Sequence, residues 1–221
     1  AMDEGGVKRM VFSSTCATYG EPERMPITED MPQNPINPYG RSKLFVEHVL
    51  KDYAHANPSF GFVALRYFNV AGAAADGSIG EDHEPETHLI PVVIEAALGK
   101  REKVTIFGTD YDTPDGTCIR DYVHVEDLCA AHITGMKALR DGDQRFYNLG
   151  IGRGYSVREV IESVKRVTGK EFTVEIGQRR PGDPPTLYAN ADKLRDELGW
   201  EPRYTELDAI VETAWRWFGE H

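Results

Sequence analysis

The sequence contains few cysteines, and their placement argues against two classes of protein. Only Cys16, Cys118 and Cys129 occur among 221 residues. An odd number of cysteines without metal-ligand or disulfide spacing is not typical of zinc-binding modules or of small secreted domains. We therefore expect reduced thiols in a cytoplasmic protein.

Positive charge and long apolar runs are also scarce. Lys and Arg number 25 against 36 Asp and Glu, which gives a formal net charge of −11. This acidic balance disfavours nucleic acid and anionic membrane surfaces as partners. No stretch approaches the ~20 apolar residues that cross a bilayer. An anionic small ligand stays compatible with the sequence, because a pocket needs only a few well-placed cations.

The glycine-rich turn that binds dinucleotide phosphates is missing as well. The nearest segment is 150–154 (GIGRG), but Tyr155 stands where the motif needs its last glycine. Ser156 and Glu159 follow with the spacing of a helix capping box. We interpret this segment as a tight turn between a strand and a helix.

Hydrophobic periodicity predicts alternating strands and helices, with no linker that divides the chain. A proline-rich loop at 20–38 separates the first strand from the first helix. Strands are expected at 8–14, 62–69, 104–107, 145–149 and 172–176, and helices at 39–56, 91–98, 126–139, 157–167, 191–198 and 206–218.

Three residues near the start of the chain suggest proton chemistry. Tyr39 and Lys43 are four residues apart on a predicted helix, so their side chains share a face. A phenol titrates near pH ~10, so a tyrosine base needs its anion stabilised by roughly 4 kcal/mol, part of which an ammonium can supply. Thr15 follows the strand at 8–14, at the end where α/β sheets present catalytic groups. The spacing alone is more typical of a solvated pair.

The surrounding segments are more specific. Residues 13–20 (SSTCATYG), 38–43 (PYGRSK) and 65–72 (LRYFNVAG) closely resemble the extended short-chain dehydrogenase/reductases. Residues 107–122 (FGTDYDTPDGTCIRDY) are similar to the UDP-glucose (UDP-galactose) 4-epimerases in particular. The resemblance runs from Val7 to the C-terminus.

The resemblance implies an α/β fold: a partial, doubly wound (Rossmann-like) parallel sheet that lacks its first strands, with a small C-terminal α/β substrate-binding lobe. Residues 1–70 would hold the C-terminal half of the NAD-binding domain. Residues 71–221 would mainly bind the UDP-sugar, interleaved with the sheet near 104–150.

The resemblance also implies roles for the catalytic residues. Tyr39 would remove the proton of the sugar 4-hydroxyl while NAD accepts hydride from carbon 4, after which the 4-keto sugar turns over and is reduced on its other face. Lys43 would lower the pKa of Tyr39 and contact the nicotinamide ribose. Thr15 would hydrogen-bond the 4-hydroxyl or the phenol, and Tyr67 would flank the nicotinamide.

Further residues match family positions that bind the UDP-sugar. Their implied contacts are the nucleotide sugar for Asn69, His88 and Leu89, the uracil for Thr105 and Phe107, the diphosphate for Arg120 and Arg180, and the ribose for Asp183. Leu187 falls at the gate beside the sugar 2-substituent, where a large Tyr excludes N-acetylhexosamines. Leucine is intermediate in size, so we expect at least weak turnover of UDP-GlcNAc.

The segment 83–88 (HEPETH) invites a metal interpretation, which the sequence does not favour. The metalloprotease pattern needs two histidines four apart on a helix. His83 and His88 are five apart, and Pro85 would break a helix between them. Cys16 follows Thr15, but no neighbouring motif suggests a catalytic thiol.

The family begins with a strand, a glycine-rich turn and a helix, so this chain is expected to match only the C-terminal two-thirds. The missing half would lie on the same or another chain, and the isolated chain would be inactive. Without it, the strand at 8–14 exposes an unpaired edge. Relatives dimerise through the helix that carries Tyr39, which predicts a homodimer.

Two alternatives stay open. One is a related UDP-sugar epimerase that acts on a pentose or an N-acetylhexosamine. Dehydratases place an acid pair after the strand hydroxyl, where this chain has Cys16 and Ala17, which argues against dehydration. The other is a non-catalytic UDP-sugar-binding fragment.

Overall fold

A computed structural model describes residues 1–2, 4–180 and 182–220. Within them, ten strands and six helices alternate along the chain, and a short 3-10 helix, Cys16–Thr18, follows the first strand. In chain order the elements are β1 (Arg9–Thr15), α1 (Pro38–Ala56), β2 (Gly61–Tyr67), β3 (Asn69–Ala71), α2 (Leu89–Ala97), β4 (Lys103–Phe107), β5 (Ile119–Arg120), β6 (Tyr122–His124), α3 (Val125–Ala138), β7 (Gln144–Leu149), β8 (Tyr155–Ser156), α4 (Val157–Thr168), β9 (Thr173–Gly177), β10 (Thr186–Leu187), α5 (Asp192–Leu198) and α6 (Leu207–Glu220).

The main sheet is parallel and has the order β1-β2-β7. Its register places Thr15 opposite Tyr67, and Tyr67 opposite Leu149. The carboxyl ends of the three strands therefore lie side by side along one edge. Among the described residues β1 is the outer strand on its side of the sheet, as the sequence predicted.

Helices cover both faces of this sheet, which explains why β2 is almost entirely buried and apolar. On one face Leu50 of α1 belongs to a cluster with Phe62. On the other, Leu128 of α3 belongs to a cluster with Val63 and Leu65. Successive residues of β2 thus point into two different apolar layers.

The later part of the chain adds three small sheets. β3 pairs with β6, β4 pairs with β9, and a third sheet has the order β10-β5-β8. A second apolar core includes Val93 of α2, Val160 of α4 and Ile210 of α6, all completely buried. Every helix in the described part of the chain is too short or too polar to span a bilayer.

The six predicted helices form, and the capping box is confirmed. The Ser156 hydroxyl accepts from the Glu159 amide at 3.1 Å, while the Ser156 amide donates to the Glu159 carboxylate at 2.6 Å. The predicted strand at 62–69 was wrong at its end, because β2 stops at Tyr67. Asn69 instead begins β3, where its amide donates to the Asp121 carbonyl at 3.0 Å.

Candidate active site

The carboxyl edge of the main sheet brings the predicted hydroxyl beside an aromatic residue. Thr15 ends β1 and lies opposite Tyr67, which ends β2. Thr15 is 6% exposed, and its hydroxyl accepts from the Ala17 amide at 3.2 Å, which caps the short 3-10 helix. This cap fixes the Thr15 side chain where the chain leaves the sheet.

The first turn of α1 brings the phenol to that edge. The Asn37 side chain caps the helix by accepting from the Gly40 amide at 2.7 Å, and Pro38 takes the first helical position. A Cβ on Gly40 would lie 2.4 Å from the Ala17 carbonyl oxygen, so only glycine allows this close approach. Tyr39 therefore lies near Thr15, close enough for the Thr15 side chain to lower the pKa of the phenol.

Lys43 lies one turn further along α1, on the same side. Its ammonium donates to the Ser13 carbonyl at 2.9 Å and lies 5.7 Å from the centroid of the Tyr39 ring. The structure thus brings together Thr15, Tyr39 and Lys43, although the ammonium is held by backbone of β1 and not by the phenol.

The pKa of Tyr39 is raised above its ordinary value. Burial raises it most, the nearby Thr15 side chain lowers it, and the neighbouring Tyr67 and Cys16 raise it further. The direction is opposite to the one that the sequence predicted from Lys43. The reason is that desolvation of the phenol outweighs its stabilising contact, while Lys43 pairs with the Ser13 carbonyl.

A cavity of about 770 Å³ opens beside this edge. Its wall is largely apolar and includes five residues that the sequence predicted for cofactor or substrate contacts: Tyr39, Tyr67, Asn69, His88 and Leu89. Its lining also includes Glu126, Cys129 and Arg203, which the sequence interpretation missed. Their positions depend on how α3 and the segment after α5 pack, and no motif in the sequence signals that.

The remaining predicted substrate residues form two other groups. Arg120 pairs with Asp183 at 3.1 Å, and Leu187 lies opposite Arg120 where β10 meets β5. The Arg180 guanidinium stacks at 3.9 Å from the centroid of the Phe107 ring, and Thr105 precedes Phe107 on β4. None of these six residues lines the 770 Å³ cavity.

Cys16 links the Arg120 group to the catalytic edge. It follows Thr15 directly, and its thiol is close enough for the Arg120 charge to lower its pKa. Burial has the larger effect and raises the pKa of Cys16 to about 12. The sulfur therefore stays protonated at neutral pH, which fits the interpretation that Cys16 is not a nucleophile.

A buried ionic network behind the site was also missed. Arg66 donates to both carboxylate oxygens of Glu47, at 3.0 and 2.7 Å, and the Ser14 hydroxyl donates to Glu47 at 2.6 Å. Burial raises the pKa of Glu47, but the contacts with Arg66 and Ser14 outweigh it and the pKa is lowered. Ser14 and Arg66 precede the two strand ends, so the network fixes Thr15 and Tyr67. In the sequence, this network is indicated by a single arginine, Arg66, within an otherwise apolar strand.

The chain is similar to a known protein family and to its curated members. The family model for the NAD dependent epimerase/dehydratase family matches residues 1–150. A curated relative, a UDP-glucose 4-epimerase of Lacticaseibacillus casei, is 51% identical over 222 residues, which cover 100% of this chain and 67% of that protein.

Solved structures agree in fold and in coverage. A UDP-glucose 4-epimerase from Bifidobacterium longum, in complex with NAD+ and UDP, is 41% identical to this chain with a TM-score of 0.94. The match covers 100% of this chain and 66% of that one. A UDP-Glc/GlcNAc 4-epimerase from Campylobacter jejuni is 48% identical to this chain with a TM-score of 0.83. The match covers 100% of this chain and 67% of that one. The chain thus spans about two thirds of the length of the relatives it matches.

Proposed function

The chain belongs to the NAD dependent epimerase/dehydratase family, and from this we propose that it forms the catalytic and substrate-binding portion of a UDP-glucose 4-epimerase. The observation that carries the proposal is the meeting of Thr15, Tyr39 and Lys43 beside Tyr67, at the mouth of a large cavity. Relatives at 51 and 53% identity are UDP-glucose 4-epimerases.

The residues present fit the nicotinamide end of NAD. Tyr39 and Tyr67 both line the cavity, and Lys43 is one helical turn from Tyr39. When bound there, NAD supplies the hydride acceptor and donor for carbon 4 of the sugar. Lys43 would hold the nicotinamide ribose, and Tyr67 would flank the ring. The sequence contains no glycine-rich turn for the pyrophosphate, so we propose that this contact comes from the missing half, on the same or another chain.

The chain's own residues would carry the proton. Tyr39 takes the proton of the sugar 4-hydroxyl, and Thr15, which lies beside Tyr39, passes it on or orients the hydroxyl. The nearby ammonium of Lys43 favours the phenolate once the cofactor and sugar displace water from the site. Tyr39 then returns the proton to the reduced product, which makes it base and acid in turn.

The nucleotide portion of the substrate would be bound by the second group of residues. Arg120 and Arg180 are suited to the diphosphate because a guanidinium can bind phosphate with two parallel hydrogen bonds. Asp183, now paired with Arg120, would accept from the ribose. Asn69, His88 and Leu89 would contact the sugar end, and Thr105 with Phe107 would line the uracil site.

We also propose which part of the chain binds the cofactor and which the substrate, how the protein associates, and where it is located. Residues 1–70 would complete the cofactor domain and 71–221 would mainly bind the UDP-sugar, with the exception of β7, which joins the main sheet. Phe45 on α1 is exposed, which supports a homodimer through this helix. All three cysteines are free thiols, which supports the cytoplasm, where galactose metabolism would use the enzyme.

The decisive experiment replaces the proton carrier in the enzyme assembled with its cofactor-binding half. We expect Tyr39→Phe to lower kcat for UDP-glucose by about 10²- to 10⁴-fold. Its stability should hardly change, because Tyr39 is 52% exposed. Tyr147→Phe is the matched control: it removes a partly buried hydrogen bond of 2.6 Å to Glu197, so it should lower stability while kcat is kept.

A second candidate is a non-catalytic UDP-sugar-binding module, which the two-thirds coverage and the missing glycine-rich turn favour. Calorimetry on this chain alone, with UDP-glucose and with NAD, separates the two. UDP-glucose binding, together with full turnover once the missing half is added, supports the epimerase. An assembled protein that binds UDP-glucose but neither retains NAD nor forms UDP-galactose would leave the binding module as the better description.

A further inference from the structure

Four side chains between β3 and α2 converge on one point. Glu81, His83, Glu86 and His88 each offer a ligand atom, and these atoms all lie within 4.8 Å of one another. In the described part of the chain this is the one group of three or more such side chains with that geometry. We call it the 81–88 cluster.

The separations within the cluster suit a single small cation. His88 Nδ1 lies 2.7 Å from a Glu81 carboxylate oxygen and 3.0 Å from Glu86 Oε1, and His83 Nδ1 lies 3.6 Å from the same Glu86 oxygen. Ligands at zinc distances of about 2.0–2.2 Å in a tetrahedral site lie about 3.3–3.6 Å apart. The two His88 separations are shorter than this spacing and the His83 separation matches it, so small rotations of the side chains would complete the site.

One ligand is already held in place by the backbone. Glu86 Oε1 accepts from the amides of Thr87 at 2.6 Å and of His88 at 2.7 Å, and the Glu86 side chain is only 4% exposed. The imidazoles of His83 and His88 face this fixed carboxylate, with their ring centroids 5.2 Å apart. A metal ligand that is oriented by hydrogen bonds before binding loses little entropy on binding.

The loop explains why the sequence did not favour a metal. The helical motif needs two histidines on one helix, and Pro85 does exclude a helix over these residues. In the structure the segment turns back on itself before α2 begins at Leu89. This turn brings together His83 and His88, which are five residues apart in sequence. Glu81, which lies outside the motif considered, adds the fourth ligand.

We propose that the 81–88 cluster binds one divalent zinc ion. Two imidazoles and two carboxylates form a ligand set that zinc accepts, and four such ligands close its coordination. Glu81 and His88 also line the large cavity, so the ion would fix the loop that forms this part of the cavity wall. Binding through Nδ1 leaves Nε2 of His88 for a ligand in the cavity, so the metal site and the proposed sugar contact are compatible.

The test needs neither NAD nor a UDP-sugar, so its outcome is independent of the proposed function. The purified chain is stripped with EDTA, and zinc binding is measured by calorimetry and by metal analysis after dialysis. We expect one zinc per chain, and a dissociation constant at least tenfold higher in His83→Asn. His83 has a half-exposed side chain, so this variant should fold normally.

A matched control is His48→Asn, which removes an exposed histidine on α1 that is outside the cluster. It should bind zinc like the parent chain. Glu86→Gln should lose binding as His83→Asn does, and cobalt should give the visible absorption of a four-coordinate site in the parent chain and in His48→Asn but in neither cluster variant. The proposal is overturned if the parent chain binds no stoichiometric zinc, or if His83→Asn binds it equally well. Either result would mean that the cluster is a set of His–Glu ion pairs.

Discussion

We propose that the size of Leu187 bears directly on which UDP-sugar is accepted. It is half-buried on β10 and packs against a cluster that includes Phe68 and Tyr19. We expect weak turnover of UDP-GlcNAc by the assembled enzyme, because leucine is intermediate in size. Leu187→Tyr should lower the ratio of kcat/KM for UDP-GlcNAc over UDP-glucose by at least about 10- to 200-fold, the discrimination that one methylene gives in an apolar pocket.

The opposite substitution checks that volume is the cause. Leu187→Ala should raise the same ratio, because it opens space beside the sugar 2-substituent. Both ratios are measured with the two substrates competing in one reaction, which removes errors in active enzyme concentration. If both substitutions lower the ratio, Leu187 supports the fold of β10 and does not select the substrate.

Single residues also show how far the sequence could predict the site. The segments around Thr15, Tyr39 and Lys43 resemble a known family, and that resemblance, not the spacing alone, predicted that the three residues lie together, as they do. The direction of the Tyr39 pKa could not be predicted, since it depends on how deeply the phenol is desolvated and on which acceptor Lys43 uses. Both depend on the packing of α1 against β1, which side-chain spacing does not determine.

At the scale of elements, the position of α1 depends on one glycine. A Cβ at Gly40 would lie 2.4 Å from the Ala17 backbone oxygen, so Gly40→Ala must displace the first turn of the helix. We expect a loss of about 1–3 kcal/mol in the free energy of unfolding. Because Tyr39 precedes Gly40, kcat should also fall at least tenfold while KM changes less.

A second glycine in a helix provides the control. A Cβ at Gly135 of α3 would have its nearest neighbour, a Val63 methyl, at 3.5 Å, which is ordinary contact. Gly135→Ala should therefore raise stability by up to about 1 kcal/mol through helix propensity and leave kcat unchanged. Urea unfolding gives the first quantity for both variants. Equal stability changes for the two would show that the approach to Ala17 is not restrictive.

Long elements were predicted from the sequence better than short ones. Helices such as α4 carry a capping box and an apolar face, and these local signals agree with the fold. The two- and three-residue strands β3, β5, β6, β8 and β10 were missed, because so few residues show no alternating pattern. The segment 83–88 was tested against a helical metal motif, whereas in the structure a folded loop brings its histidines together with Glu81 and Glu86.

Asp121, a buried carboxylate that is bound by the turn between β7 and β8, predicts that the stability of the chain depends on pH. Asp121 is completely buried, and its carboxylate accepts from the amides of Ile151 at 2.9 Å, Gly152 at 3.3 Å and Ala189 at 3.1 Å. Burial nevertheless raises its pKa from 3.8 to about 6. A raised pKa in the folded state means that the contribution to stability is full below pH ~4 and is lost as the pH rises through about 6.

Asp121→Asn isolates this contribution from the other carboxylates. The unfolding free energy of the parent chain minus that of the variant should fall by about 2 kcal/mol between pH ~4 and pH ~7, because a neutral amide does not ionise. Urea titrations at several pH values measure it. A difference that grows with pH would show that the three amides stabilise the ionised carboxylate more than burial destabilises it.

At the scale of the whole molecule, two surfaces could mediate association. β1 is the outer strand of the main sheet among the described residues, so its unpaired backbone could accept another strand. On α1, Phe45 and Val49 are 69% and 48% exposed and share one face of the helix. The helix surface is the one that the proposed homodimer would use, whereas the strand edge is where the missing half would add.

Substituting Phe45 distinguishes the two surfaces. A buried Phe contributes about 1.5–3 kcal/mol, and a two-fold interface contains it twice, so Phe45→Glu should raise the dimer dissociation constant roughly 100-fold or more. Ile176 on β9 is 65% exposed and outside both surfaces, so Ile176→Glu should leave the dissociation constant unchanged. Sedimentation over a range of concentrations measures all three chains. If Phe45→Glu associates as tightly as the parent chain, α1 is not the interface, and association must use another surface such as the β1 edge.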